Sequence, residues 1–487
     1  MDNIKILFAA VEVYPFAKTG GLADVACFLP KAIRNKGYDI RIIMPKYKNI
    51  REQYSNLLQP VCELDVEISD KKFRCKVEFT EYNGNIVYFI DNPYYFDRER
   101  IYDYDDEMER FVFYCKAVLE AIPLLGFKPQ IIQCNDWETG FIPYYMRTHY
   151  GSIDYYKDIK TLLTIHTVLY QGVFSKQNAW DVLKTDWSYF TENSLDFYNQ
   201  INFMKIGIML ADVINTVSPS YADQISTGLP FDVEPIVPVL NKRKKDLYGI
   251  LNGIDADENN PGTDKRLYAN FTYESLEGKA INKEMLQREL DLPVRNDVPI
   301  VAIISRLEIT KGLYLIEKSF HEMLKDDLQF IVVGDGIPYY RYLFSEMMKA
   351  YPDKMRYLPY NESIAYKTYA ASDIFLMPSY TEACGISQLI GMRYGAVPLV
   401  RETGGLKDTV KCYNEKTGEG NGFSFWYANQ WVMLDAVRNA ISYYHKKDIW
   451  MELVHRCMTQ PLGWDKSSSE YIKLYKCIID GTQYISG

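Results

Sequence analysis

The chain has 487 residues, 47% of them hydrophobic and 24% charged, an ordinary globular mixture with room for about two to three domains. Its formal net charge of -9 argues against a nucleic-acid-binding protein, and no apolar stretch approaches the roughly 20 residues of a membrane helix. Nine cysteines without a Cys-x-x-Cys pair and five dispersed histidines point to reduced thiols, a cytoplasmic setting and no metal site.

Residues 4–10 form a short apolar run interrupted by Lys5 and followed by Glu12, which predicts a first buried strand rather than a signal peptide. Lys18-Thr19-Gly20-Gly21-Leu22 comes next. Leu22, Val25, Ala26, Leu29, Ala32 and Ile33 share one helical face, so residues 21–36 predict a helix stopped by Gly37. Residues 39–44 predict a strand halted by Pro45. Residues 61–68 and 73–79 alternate about Asp70-Lys71-Lys72, which predicts an antiparallel hairpin set beside the main sheet. Strands at 131–134, 161–165 and 213–217, with helical runs between them, predict a parallel sheet. Asp136 reads equally well as the N-cap of a helix beginning near Thr139. His166, at a strand end, reads alone as structural. The basic run Lys242-Arg243-Lys244-Lys245 reads as a solvated loop.

Turn chemistry around residues 248–261 marks a domain boundary. Domains are therefore expected at 1–248 and 249–465, with residues 466–487 as a C-terminal helical segment returning to the first domain. The second half repeats the rhythm, with strands at 300–304, 329–333, 354–358, 374–377 and 397–400 and helices at 313–324, 387–394 and 467–479. Two doubly wound α/β units place ligands at the carboxyl ends of their strands, facing one interdomain cleft. Gly334-Asp335-Gly336 lacks the rest of a dinucleotide fingerprint, and no Walker A loop is present, which argues against a dehydrogenase or a kinase.

Thr-Gly-Gly-Leu occurs twice, at Thr19-Gly20-Gly21-Leu22 and at Thr403-Gly404-Gly405-Leu406. Each opens a predicted helix, and bare amides there suit anionic oxygens. Arg306 ends one strand and Lys311 opens the next helix. A guanidinium fork and a compact ammonium so placed suit a diphosphate. Glu382 follows the strand at 374–377, where its carboxylate suits a helix dipole, a sugar hydroxyl or a developing cation. Gly385 permits close backbone approach to a ligand. A sugar nucleotide is the ligand expected from two such anion sites. The 41 tyrosines are compatible with sugar stacking, but a low-GC codon bias is the preferred explanation for them.

Together these motifs resemble the bacterial glycogen synthases and plant starch synthases, from Glu12 and Lys18-Thr19-Gly20-Gly21-Leu22-Ala23-Asp24-Val25 to Pro398-Leu399-Val400-Arg401-Glu402-Thr403-Gly404-Gly405-Leu406. The resemblance covers nearly the whole chain. It implies two Rossmann-like domains in the GT-B architecture, with the acceptor glucan on the first and the nucleotide sugar on the second. It implies retaining transfer of glucose from ADP-glucose to the non-reducing end of an α-1,4-glucan, without cofactor or metal ion. Alternatives are UDP-glucose as donor, a small acceptor such as a sugar phosphate, or a non-catalytic glucan-binding relative. By resemblance, Arg306 and Lys311 match the diphosphate pair, Glu382 the carboxylate at the donor sugar, and Cys384 and Gly385 backbone contacts to that sugar. Lys18, Gly20, Gly21 and Asp24 match the nucleotide-sugar loop. His166 matches the histidine beside the reacting carbon, and Asp136 a polar residue near the sugar or acceptor. Tyr360 falls where a nucleotide base stacks, Asn252 in the hinge loop, and Thr403, Gly404 and Gly405 beside the donor. The chain departs from the usual pattern at Asn135-Asp136-Trp137-Glu138, commonly His-Asp-Trp-His, at Thr167, commonly Asn, and near Asn259-Asn260, where a tryptophan is usual. Tyr380 stands where a basic residue is usual.

Overall fold

The computed structural model describes residues 4–183, 195–228 and 234–485, and these form two α/β units. The first comprises residues 1–217, 222–252 and 464–487, and the second residues 218–221 and 253–463.

The first unit is built on nine strands: β1 (Lys5–Ala9), β2 (Asp39–Pro45), β3 (Gln59–Ile68), β4 (Lys71–Tyr82), β5 (Asn85–Asp91), β6 (Ile131–Asn135), β7 (Lys160–Ile165), β11 (Val213–Thr216) and β12 (Leu247–Gly249). A separate three-stranded sheet holds β8 (Val173–Ser175), β9 (Asp196–Phe197) and β10 (Gln200–Asn202). The main sheet runs β12-β11-β7-β6-β1-β2-β5-β4-β3. All neighbours from β12 to β5 are parallel; β4 and β3 are antiparallel. Because β5 pairs with both β2 and β4, the hairpin extends the main sheet instead of lying beside it. The turn Asn83-Gly84, with φ of 48° and 76°, closes that junction, since both residues tolerate the left-handed region. The strand order reverses between β1 and β6, the switch point where doubly wound sheets bind ligands.

The helix Gly21–Asn35 buries Leu22, Val25, Ala26, Leu29 and Ile33 of the stripe that its sequence spacing predicts, with Ala32 only half-buried, and Gly37 follows at φ 89°. The last helix, Trp464–Asp480, packs on it, with Lys36 paired to Asp465 at 2.6 Å. Beneath this helix a buried polar chain crosses the sheet. Tyr475 donates to Gln133 (2.5 Å), Gln133 to Thr164 (2.8 Å), Thr164 to Asn215 (2.7 Å), and Asn215 to Tyr471 (3.0 Å). Tyr475→Phe leaves the Gln133 carbonyl oxygen without that donor, so a loss of about 1–3 kcal/mol is expected in urea unfolding. The basic run is not simply solvated: Arg243 donates to the carbonyls of Ile208, Met209, Ala211 and Asp212, closing the C-terminal end of the helix Phe203–Leu210.

The second unit has six parallel strands: β13 (Ile300–Ile304), β14 (Gln329–Val333), β15 (Met355–Leu358), β16 (Ile374–Met377), β17 (Val397–Arg401) and β18 (Phe423–Phe425). Their order is β15-β14-β13-β16-β17-β18, with the reversal between β13 and β16. One core of buried aliphatic and aromatic side chains fills both faces of this sheet. No described helix is long and apolar enough to cross a membrane.

Candidate functional site

In each unit most of the predicted residues lie at the carboxyl ends of the strands near the switch point, whereas Asn252 and Tyr360 follow the edge strands β12 and β15. In the second unit, Arg306 follows β13, Glu382 follows β16, and Thr403-Gly404-Gly405 follows β17. The Lys311 ammonium donates to the Glu382 carboxylate at 2.6 Å, with both side chains largely buried, and the Ser379 hydroxyl lies 3.4 Å from the same oxygen. Glu382 is therefore not confined to a helix dipole: it holds a cation brought from the loop after β13. Arg306 stands apart, its side chain half exposed and paired with Glu308 at 3.1 Å.

The second diglycine serves packing, and the bare amides expected from its sequence are not what it presents. A Cβ on Gly404, whose φ is 44°, would sit 1.9 Å from the Glu382 carbonyl oxygen. One on Gly405 would sit 2.2 Å from the Cys384 carbonyl oxygen. Only glycines let the helix Gly404–Thr409 begin against the Glu382–Cys384 backbone. The Gly405 amide donates to the carbonyls of Glu382 (3.1 Å) and Ala383 (3.2 Å), so it is engaged within the protein. Gly385, at φ 75°, turns the chain over Gln388, whose amide donates to the Cys384 and Gly385 carbonyls. Thr403 and Cys384 are buried in this junction. Tyr360 is 55% exposed beyond β15, its amide bonded to Asp335 at 2.8 Å. Arg401 received no role from its sequence position. Its guanidinium donates to the carbonyls of Ser379 (2.7 Å) and Tyr380 (2.5 Å) and so braces the loop that carries Glu382. It also sets a cation against the Tyr380 backbone.

In the first unit, Lys18 pairs with Asp24 at 2.7 Å in the first turn of the helix Gly21–Asn35. Gly20 has open space around its Cα, unlike Gly404 and Gly405. Its amide, with the amide and hydroxyl of Thr19, donates to Glu12, which also accepts from the Tyr102 hydroxyl at 2.8 Å. A buried carboxylate thus shapes the Lys18–Gly21 loop, and the Gly20 amide, expected to face an anionic ligand, turns back onto it. Tyr102, 90 positions away, has no sequence signal for this role.

Asp136 does not cap the following turn. It sits at φ 56°, and its Oδ1 accepts the amides of His166 (2.7 Å) and Thr167 (3.4 Å) across from β7. The Asn135 amide nitrogen donates to the Ala9 carbonyl at 2.9 Å, which turns Asn135 Oδ1 toward His166 Nε2, also at 2.9 Å. An acceptor there assigns the proton to Nε2 and leaves Nδ1 with its lone pair. Burial lowers the His166 pKa to about 3, so the imidazole is neutral. Burial, with the nearby Glu12 charge, raises the Asp136 carboxyl above its ordinary range against the pull of its two amide donors. Asn252, which ends the 222–252 segment of the first unit, is buried with its Oδ1 lacking a hydrogen-bond partner among the described residues.

Among the described residues, no group of three or more His, Cys, Asp or Glu is placed to hold a metal ion.

A family model described as the starch synthase catalytic domain matches residues 5–232, and one described as glycosyl transferases group 1 matches residues 289–442. The chain is 43% identical over 477 residues to a glycogen synthase of Geobacillus thermodenitrificans, covering 98% of each chain. It is 45% identical over 478 residues to a glycogen synthase of Clostridium novyi, covering 98% of this chain and 99% of that one. Among solved structures, the catalytic domain of starch synthase IV from Arabidopsis thaliana, bound to ADP and acarbose, matches with a TM-score of 0.90 and 32% identity. That match covers 98% of this chain and all of the other. A sucrose-phosphate synthase of Thermosynechococcus elongatus shares the fold at a TM-score of 0.61 and 15% identity.

Proposed function

The chain belongs to the glycogen and starch synthase family, glycosyltransferases of the GT-B fold, and from that premise we propose that it extends an α-1,4-glucan with glucose from ADP-glucose, retaining the α configuration. The observation that carries this reading is the Lys311–Glu382 pair seated against Gly404-Gly405 at the switch point of the second unit. Breaking the anomeric C–O bond moves negative charge onto the diphosphate. Lys311 and Arg306 stabilise it where it develops, Lys311 already oriented by Glu382 and Arg306 after turning from Glu308. The sugar becomes oxocarbenium-like, which the Glu382 carboxylate favours. The acceptor 4-hydroxyl attacks on the face the leaving group departs, and the leaving phosphate takes its proton.

The first unit supplies the groups assigned to the reacting sugar and the acceptor. The neutral His166 adds no positive charge beside a developing cation, and Asp136 fixes its backbone. Lys18, Gly20, Gly21 and Asp24 are assigned to the donor, with Tyr360 for the base, Cys384, Gly385 and Thr403 around the sugar and phosphates, and Asn252 at the hinge. The two cationic side chains carry the diphosphate charge in this scheme, which uses no cofactor or metal ion. ADP is preferred over UDP on the strength of the starch synthase IV structure, which holds ADP.

The test is nucleotide release from ADP-glucose and from UDP-glucose at equal concentration, with glycogen, with a sugar phosphate, and without acceptor. Glycogen-dependent ADP release with growth of the glucan is expected. Faster UDP release overturns the donor assignment, and release only with the small acceptor overturns the glucan.

A further inference from the structure

Glu138 lies in the turn Trp137–Thr139 that leaves β6, and it is 3% exposed. Asp136 stands two residues before it, Glu12 comes from the loop after β1, and Tyr102 bonds Glu12 while also facing Glu138. Three carboxyl groups therefore share one buried region at the switch point. Among the described residues, no Lys or Arg forms an ion pair with them. Of the cations on the neighbouring helix Glu107–Ala121, Lys116 donates to the Glu67 carbonyl, and Arg110 directs Nε and Nη1 to the carbonyls of Tyr95 and Ile101, its Nη2 having no partner among the described residues. Lys205, from the helix Phe203–Leu210 on the same turn, donates to the Asp196 carbonyl. Among the described residues, the other titratable groups facing the cluster are Tyr47, Cys115 and the neutral His166, with Glu107 on the far side of Tyr47.

Hydrogen-bond donors are divided unequally among the three carboxyls. Glu12 takes four: the Thr19 amide and hydroxyl, the Gly20 amide and the Tyr102 hydroxyl. Asp136 takes two backbone amides. Glu138 is served only by its own backbone amide and by the Tyr102 hydroxyl that Glu12 also takes, and its Oε2 is buried with no hydrogen-bond partner among the described residues. Donors favour the charged form and burial disfavours it, so a proton shared by the cluster belongs on the member with an unserved oxygen.

We propose that Glu138 is a positioning residue that works as a neutral carboxylic acid. Its proton lets Glu12 and Asp136 keep their charges side by side. Those two carboxylates hold the loops at Thr19-Gly20 and at His166-Thr167, which the proposed reaction uses, so the inference rests on that reading. Burial and the neighbouring carboxylates raise the Glu138 pKa well above its ordinary value, in keeping with this. Ionisation at high pH then adds a third negative charge and loosens both loops.

The experiment compares the wild-type protein, Glu138→Gln and Glu138→Ala in glucan synthesis and in thermal unfolding across pH 5 to 9. The isosteric amide cannot ionise. Glu138→Gln is expected to keep kcat at pH 7 within about twofold of wild type and to move the alkaline fall in activity up by about one pH unit or more. Glu138→Ala, which removes the group and leaves a void, is expected to lose activity at every pH. The stability arm follows from linkage. An acid with a higher pKa in the folded than in the unfolded chain destabilises the fold progressively as pH rises above its unfolded pKa. The Tm advantage of Glu138→Gln over wild type should therefore open with rising pH. That arm needs no turnover, so it fails separately from the assigned reaction. Superimposable pH profiles and a constant Tm difference overturn the proposal. So does a folded Glu138→Gln that has lost more than about tenfold in kcat at pH 7, because the negative charge would then be what is needed.

Discussion

Lys311→Ala and Glu382→Ala are each expected to lower kcat/KM for glucan synthesis by about 10²–10³-fold, the usual cost of one preorganised charge contact at a transition state. The two side chains are 2.6 Å apart and largely buried, so each substitution also strands its partner. A stability loss of about 1–3 kcal/mol should accompany each single variant. The double variant separates the two effects: pairing is no longer broken, so part of the stability returns, while activity stays lost. Urea unfolding and initial rates with glycogen measure both. Wild-type rates in either folded single variant contradict the assignment of this pair to the donor.

Asp136→Ala is expected to lower kcat by about 10²-fold, the scale of a small misplacement of reacting groups, while Asp136→Asn keeps most of the activity. The reason is local. Asp136 holds the His166 and Thr167 amides from a backbone at φ 56°. Asparagine tolerates that conformation and can still accept both amides through its oxygen; alanine accepts nothing and is strained there. Saturating donor and glucan isolate kcat, and Tm checks the fold. Equal losses in both variants would mean that the carboxylate charge acts on substrate directly.

The alternation of strands and helices was legible because apolar periodicity and glycine stops are local. Residues 21–36 and 300–304 show it: their bounds as read from the sequence fall within a residue of the helix Gly21–Asn35 and strand β13. Strand β5 went unread although Asn83-Gly84 signals a hairpin, because its apolar run follows two alternating strands and its partner β2 lies more than 40 residues earlier. The candidate site divides the same way. Lys311, Glu382, Gly404 and Gly405 stand in motifs at strand ends, so they were visible. Contacts that depend on topology were not: Asp136 was open to reading as a helix cap until β6 and β7 paired and brought His166 beside it. Tyr102 on Glu12, Arg401 beneath Tyr380 and the orphaned oxygen of Glu138 appear only when distant segments meet.

The most direct measurement is a crystal structure of the protein with ADP. The account predicts the diphosphate within hydrogen-bonding distance of the Lys311 ammonium, with Arg306 turned from Glu308 toward it and the base on Tyr360. ADP bound away from the carboxyl ends of β13, β16 and β17, with the Lys311–Glu382 pair undisturbed, would contradict it.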